Sequence, residues 1–156
     1  MRKVLITIFL TILLVSVFAQ TDKKTEEEAI KNTINRFFEG MQKGDTAIMM
    51  KTISDSAGLQ SVAINRLGEV RVRYETMGGL IISVTKRNPE IKSLEERITF
   101  DAVHIDGNLA SVWTPYKFFL NGNFSHCGAN SFTLVKLKGE WRIVNIIDTR
   151  RKDGCE

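Results

Sequence analysis

This 156-residue sequence is poor in proline, histidine and cysteine, with two of each. Two prolines, Pro89 and Pro115, exclude a proline-rich linker or polyproline scaffold. His104 and His126, with Cys127 and Cys155, fit no spacing used by metal ligands, so no metal site is expected. There is no phosphate-binding glycine loop, no Gly-x-Ser-x-Gly and no carboxylate pair on one helix face. Those absences remove the commonest nucleotide and hydrolase signatures and leave no cofactor implied. Charge of one sign is also missing, with 22 Lys+Arg against 18 Asp+Glu. No basic stripe with interleaved aromatics occurs, which argues against a nucleic-acid partner.

Only one long apolar run is present, Val4 to Phe18. Arg2 and Lys3 precede it, and Val17 and Ala19 suit the small-residue rule for cleavage before Gln20. Residues 1–19 therefore read as a secretory signal peptide, too short and too poorly flanked for a spanning helix. The alternative is an uncleaved anchor. No cysteine sits at the cleavage site to carry a lipid, so no stable membrane anchor is expected after cleavage. Removing residues 1–19 takes away Arg2 and Lys3 and no acid, leaving 20 Lys+Arg against 18 Asp+Glu, near +2. The expected location is periplasmic or extracellular, where a disulfide between the two cysteines can persist.

Residues 20–24 read as a disordered polar leader, and residues 25–156 as a single domain large enough for one core. Thr25-Glu26-Glu27-Glu28 forms a capping box, and Ile30, Ile34, Phe37, Phe38 and Met41 follow at helical spacing. A helix is predicted over residues 26–42. Gly44 ends it, and Asp45 caps a short second helix to about Ile53. Residues 54–58 read as loop. Leu59–Arg66 and Glu69–Glu75 then read as two short strands around Leu67-Gly68. Met77, Leu80, Ile81 and Val84 predict a third helix over residues 76–87, stopped by Pro89.

From Leu94 to the end the chain is strand. The turns are Asp106-Gly107, Asn121-Gly122 and Lys138-Gly139, the second being a strong two-residue hairpin signal. Helix, helix, short hairpin, helix and four long antiparallel strands make an α+β cone: a strongly curved antiparallel sheet covered by three N-terminal helices, with a cleft between.

That layout, with Lys-Gly-Asp at residues 43–45 and Gly-Glu-Trp-Arg-Ile-Val at residues 139–144, resembles the nuclear transport factor 2-like, or cystatin-like, superfamily. Ser125-His126-Cys127-Gly128, the run Ile147–Arg151 and the terminal cysteine resemble its exported bacterial proteins described as putative lumazine-binding. The resemblance spans residues 25–155 and implies a cleft for a small molecule. Related folds also host enzymes of the ketosteroid isomerase or dehydratase kind.

Two-residue turns fix the register, and the register names neighbours. A loop at Asn121-Gly122 sets Tyr116 opposite Cys127 and Lys117 opposite His126. A loop at Lys138-Gly139 sets Cys127 opposite Arg150 and Ala129 opposite Asp148. Tyr116, Cys127, Asp148 and Arg150 then share one face, and Trp113, His126, Asn130, Phe132 and Ile147 the other. A bulge at Pro115 would swap these for the first strand, and which face lines the cleft stays open.

Trp113, Tyr116, His126, Asp148 and Arg150 are the candidate ligand contacts. Asp148, among β-branched residues, is a candidate general base, or else an ion-pair partner of Arg150 or Arg142. Tyr116 is a candidate oxyanion donor, and His126 an acid, a base or a plain strand residue. Two functions follow. One is an exported binding module for a small, largely apolar ligand, pairing as a homodimer through the sheet, with exposed aromatics such as Phe119 favouring the contact. The other is an acid–base enzyme. The polar tail Arg151–Gly154 has little reason to extend the last strand. Folded back, it would bring Cys155 to Cys127 for a disulfide; a straight strand would forbid the bond.

Overall fold

Ile30, Ile34, Phe37, Phe38 and Met41 lie on one side of the first helix, and all five are buried. The computed structural model describes the backbone from Arg2 to Cys155 and the side chains of residues 23–155. The expected cleavage site at residues 17–20 lies outside the described side chains. Helix α1 runs Arg2–Lys43. It passes without a break through residues 20–28, so the expected leader is helical and Thr25 lies within the helix rather than at its start. Glu26 serves otherwise: its carboxylate accepts from Lys136 Nζ at 2.6 Å and Trp141 Nε1 at 2.7 Å, tying α1 to the sheet.

Helix α2 (Thr46–Met50) begins where expected, with Asp45 Oδ1 accepting from the amides of Ala47 and Ile48 at 3.0 and 3.1 Å. It ends three residues early. The segment expected as loop at residues 54–58 belongs to strand β1 (Ile53–Ile64), whose inner part has the alternating burial of a sheet strand. Strand β2 (Val70–Thr76) returns antiparallel to it, and α3 (Met77–Thr85) starts on the Thr76 hydroxyl, which accepts from the Gly79 amide.

The strand expected over residues 94–106 is two strands, β3 (Leu94–Ile98) and β4 (Ala102–Asp106), both paired to β5 (Leu109–Leu120). The break faces Pro115, which has no amide to donate to a ladder. Strands β6 (Asn123–Leu137) and β7 (Glu140–Thr149) complete a seven-stranded sheet in the order β2-β1-β7-β6-β5-β3, with β4 also on β5. The sheet is mixed rather than antiparallel throughout, because β1 runs parallel to β7. The connection from β1 to β7 runs through β2, α3 and β3 to β6, ample for the crossover that a parallel pair requires.

Both two-residue turns form as read, with positive φ at Asn121, Gly122, Lys138 and Gly139. The register beyond them slips twice. Ser125 is an extra residue between the Phe119–Phe124 and Phe118–His126 pairs, and Val144 between the Leu134–Ile143 and Thr133–Asn145 pairs. Tyr116 therefore opposes Gly128, Lys117 opposes Cys127, Asn130 opposes Asp148 and Cys127 opposes Arg151. No bulge forms at Pro115, the place where one would have swapped the first strand; the extra residue lies on β6. The two slips cancel between β5 and β7, so Tyr116, Asp148 and Arg150 keep a common face. Every β6 residue between them changes sides: Cys127 moves to the outer face, and His126, Asn130 and Phe132 to the inner one.

The inner face carries the core. Phe132, Leu134 and Ile143 are fully buried against Ile30 and Ile34, and Phe38 meets Phe132 edge-on at 5.9 Å. Truncating a ring such as Phe132 to alanine would cost about 3–5 kcal/mol.

Candidate functional site: a polar cluster under the helices

The pairing of β1, β7, β6 and β5 places Ser61, Asp148, Asn130 and Thr114 in one row across the inner face. All four are buried, an unusual concentration of polar side chains beside an apolar core, and each finds partners. Asp148 accepts from the Ser61 hydroxyl, from Tyr116 Oη at 3.2 Å and from Arg150 Nε at 2.8 Å. Tyr116 also donates to the Thr149 carbonyl at 2.9 Å. Its ring crosses Gly128, where a Cβ would meet the tyrosine ring at 2.8 Å and overlap the Thr149 carbonyl. Only glycine fits there.

A fifth polar residue joins this row from the side. Leu94, Glu96 and Ile98 alternate on β3, so the carboxylate of Glu96 points inward with its apolar neighbours. Asn130 Nδ2 donates to Glu96 Oε1 at 2.7 Å and to Thr114 Oγ1 at 3.4 Å. Burial raises the Glu96 carboxyl to about 7, against the opposing bond from Asn130, with the Asp148 charge adding to the rise. Near neutrality Glu96 thus exchanges its proton. Burial also pushes the Tyr116 phenol up, and the Asp148 charge adds to this. Burial works against the Arg150 charge, but its hydrogen bond to Asp148 and the negative charge around it together outweigh this and raise the group further.

Above this floor lies a cavity of about 70 Å³. Phe37, Phe38 and Met41 of α1, Leu80 of α3, Leu59 and Ile146 wall it, and Glu96, Asn130, Asp148 and Arg150 supply its polar side. Asp148 and Arg150 thus reach the cleft. Tyr116 and His126 stand behind it on the same face. The His126 ring lies 5.8 Å from Tyr116 and 4.9 Å from Phe118, and burial together with the Arg150 charge holds it below the usual imidazole range. Trp113 is not brought to the cleft: it projects from the outer face and is 45% exposed. The Asp148–Arg150 pair forms as the ion-pair reading had it, but with Asp148 only 6% exposed rather than on the surface.

Glu96 was missed by the sequence reading, although its place between inward Leu94 and Ile98 marks it. Among the described residues no group of three or more His, Cys, Asp or Glu side chains is placed to hold a metal. On the outer face, Cys127 and Cys155 are joined by a disulfide with Cα atoms 5.7 Å apart. The tail folds back beyond Arg151, turning at Gly154 with its φ of 62°.

Helices laid over one face of an open mixed sheet, with an apolar cleft floored by polar groups between them, define the nuclear transport factor 2-like, cystatin-like fold. Solved structures agree. A nuclear transport factor 2-like protein with a cystatin-like fold from Novosphingobium aromaticivorans superposes with a TM-score of 0.70 at 15% identity, covering 88% of this chain and 89% of its own. One of unknown function from Shewanella baltica gives 0.64 at 20% identity, covering 83% and 96%. A cystatin-like domain of unknown function from Nostoc punctiforme gives 0.63 at 15%, covering 81% and 78%. Within that fold the chain belongs to the family described as "Putative lumazine-binding", whose model matches residues 25–147. No curated protein matches it.

Proposed function

We propose that the protein is an exported binding module that holds a small, largely apolar molecule in the cleft between α1, α3 and the sheet. The observation that carries this reading is the convergence of Glu96, Asn130 and Arg150 on one end of an otherwise apolar cavity. Sites for small molecules have this make-up, mostly apolar walls with a few polar groups that fix orientation. With its proton on, Glu96 donates a hydrogen bond; with it off, it accepts one. The molecule best suited is therefore flat and apolar, with a carbonyl or ring nitrogen at the polar end. Lumazine, in the family's description, has such carbonyls on a flat ring. A cavity of about 70 Å³ falls well short of the roughly 300 Å³ at which typical ligand sites begin. A ligand of lumazine's size would enter by displacing Leu80 of α3.

The test is a titration of the oxidised protein with lumazine, followed by amide chemical shifts. Saturable shifts are expected at Leu80, Glu96, Asn130 and Asp148, with affinity lowered about tenfold by Glu96→Gln or Arg150→Ala. If neither lumazine nor a panel of apolar ring ketones perturbs these amides at millimolar concentration, the reading fails.

An acid–base enzyme is the second reading, and Glu96 is the observation that favours it: a carboxyl titrating near neutrality in a cleft suits proton transfer. Asp148 and Tyr116 suit those roles less well than the sequence suggested. Asp148 already accepts from three donors, and the Tyr116 proton is committed to Asp148 and Thr149 rather than to the cavity. Turnover of an enolisable ketone with a pH–rate profile breaking near 7, lost in Glu96→Gln, would favour the enzyme.

A further inference from the structure

A second cavity, lined by three cationic side chains, lies on the opposite side of the sheet from the cleft. Four residues there form one row across three strands and the tail: Arg97 opposes Lys117, Lys117 opposes Cys127, and Cys127 opposes Arg151. The row lines a cavity of about 320 Å³, within the range of small-molecule sites. Pro115 and the Cys127–Cys155 disulfide give it an apolar side, and among the described residues no carboxylate lines it.

The three cations differ in their commitments. Arg97 gives Nε and Nη2 to Glu95 at 2.7 and 3.1 Å and stacks over the Phe119 ring at 4.0 Å, which also keeps Phe119 from being a free aromatic. Arg151 spends one Nη2 contact on the Gly154 carbonyl at 3.4 Å. Neither Lys117 nor Arg151 has a carboxylate within ion-pairing distance among the described residues. Two unpaired cations over a hollow with an apolar wall attract an anion with an apolar body more strongly than an inorganic ion, because the wall gains by covering that body.

We propose that this hollow is a second binding site, for a small organic anion that carries a carboxylate or phosphate on an apolar group. Lys117 and Arg151 hold the anionic head, and Pro115 and the disulfide cover the body. One wall of the site is the C-terminal tail, held in place by the Cys127–Cys155 bond and by paired backbone bonds between Cys127 and Arg151, both 2.9 Å. The site is therefore complete only in the oxidised protein. It is independent of the cleft, and either site can exist without the other.

Phenyl phosphate, phenylacetate and the neutral benzyl alcohol are the probes, titrated into the full oxidised chain with amide shifts as readout. At least one anion should give saturable shifts at Lys117, Arg151 and Gly154 while Glu96 and Asn130 stay unmoved. Binding should weaken about tenfold or more in the Lys117→Ala, Arg151→Ala double variant and with the neutral probe. Response to phenyl phosphate alone narrows the ligand to phosphates, and to phenylacetate alone to carboxylates; both outcomes support the site. Both variant positions are exposed, so folding should survive, and the spectrum itself reports it. After reduction with a phosphine, the anion shifts should vanish while the dispersion of the α1 and β5 amides persists. Equal shifts from benzyl alcohol, no loss in the double variant, or no saturation by either anion overturns the proposal. Undiminished binding after reduction overturns the part assigned to the tail.

Discussion

Glu96 is the residue whose state most directly sets how the cleft behaves. Its carboxyl lies at about 7 in the folded protein and near 4.5 when exposed. The folded value is raised, so the folded protein holds a proton that the unfolded chain has lost between those two pH values. The associated stability is complete below about pH 4.5, falls as pH rises, and is gone above about pH 7. A shift of that size corresponds to about 3 kcal/mol. Glu96→Gln keeps the neutral shape and the Asn130 contact but cannot ionise. Urea midpoints of the two proteins should therefore diverge steadily from pH 4.5 to 7, in favour of the variant, and run parallel at higher pH. Parallel curves throughout would show that Glu96 is ionised in the fold as it is in water. The residue was legible by parity alone: Leu94 and Ile98 are apolar, and the side chain midway between them points the same way. The reading of the sequence stopped at the β7 carboxylate because that one sits among β-branched neighbours, a more visible signal for the eye than alternation on a five-residue strand.

At the scale of elements, the sequence carried the helices and turns far better than the register. Asp45 announced its helix through capping chemistry and Met77, Leu80, Ile81 and Val84 theirs through helical spacing, and Asn121-Gly122 and Lys138-Gly139 announced their hairpins through the need for positive φ. Ser125 and Val144 carry no such mark. Neither is glycine or proline, and a bulge in the middle of a ladder is chosen by packing on both faces, which one strand's sequence does not contain. Trp113 was misplaced for a simpler reason, since its size suggested a binding role while its parity put it on the outer face. Residues 20–25 were misread because capping chemistry marks a possible helix start without requiring one when the preceding residues are helical too. The fold-back of the C-terminal element has a direct check. Denatured, unreduced protein should show no free thiol. Reduction should lower stability by about 3 kcal/mol, the chain-entropy value for closing a loop over a sequence separation of 28. Two reactive thiols per chain would show the tail unbonded.

For the whole molecule, the outer face of the sheet is the surface open to a second copy. Tyr74, Gln60, Ile147, Ser131 and Trp113 form one row across five strands, and Val72, Val62, Thr149 and Ala129 the next. Tyr74 is 79% exposed and Trp113 45%. An apolar surface of that extent on a sheet favours pairing with a second copy, and we propose a homodimer through these two rows, with the cationic row left at the end of the strands. Sedimentation should give a dimer at micromolar concentration, and Tyr74→Lys with Trp113→Glu should give a monomer. A wild-type monomer at high micromolar concentration would rule the pairing out. Export is proposed on the charged start, the apolar run and the small residues before Gln20. Intact mass of protein from its native host should correspond to a chain starting at or near Gln20, and a mass that retains Met1 would contradict it.

The paired bulges have a consequence of their own, best put in the language of reading frames. Ser125 acts on the sheet as a one-letter insertion acts on a gene, putting every later side chain out of phase with a straight count from the turn. Val144 acts as the second insertion that restores the phase. Between them β6 is read out of phase, and after them β7 is in phase again with β5. Each bulge absorbs its extra letter where it stands. Deleting Ser125 would close the ladder with Phe124 still opposite Phe119 and His126 still opposite Phe118. Deleting Val144 would leave Ile143 opposite Leu134 and Asn145 opposite Thr133. Neither deletion would turn a later side chain over, so Asn130, Asp148 and Arg150 should keep the cleft and Cys127 should keep Cys155. The phase is carried by the paired residues on either side of each bulge and not by the extra residues themselves.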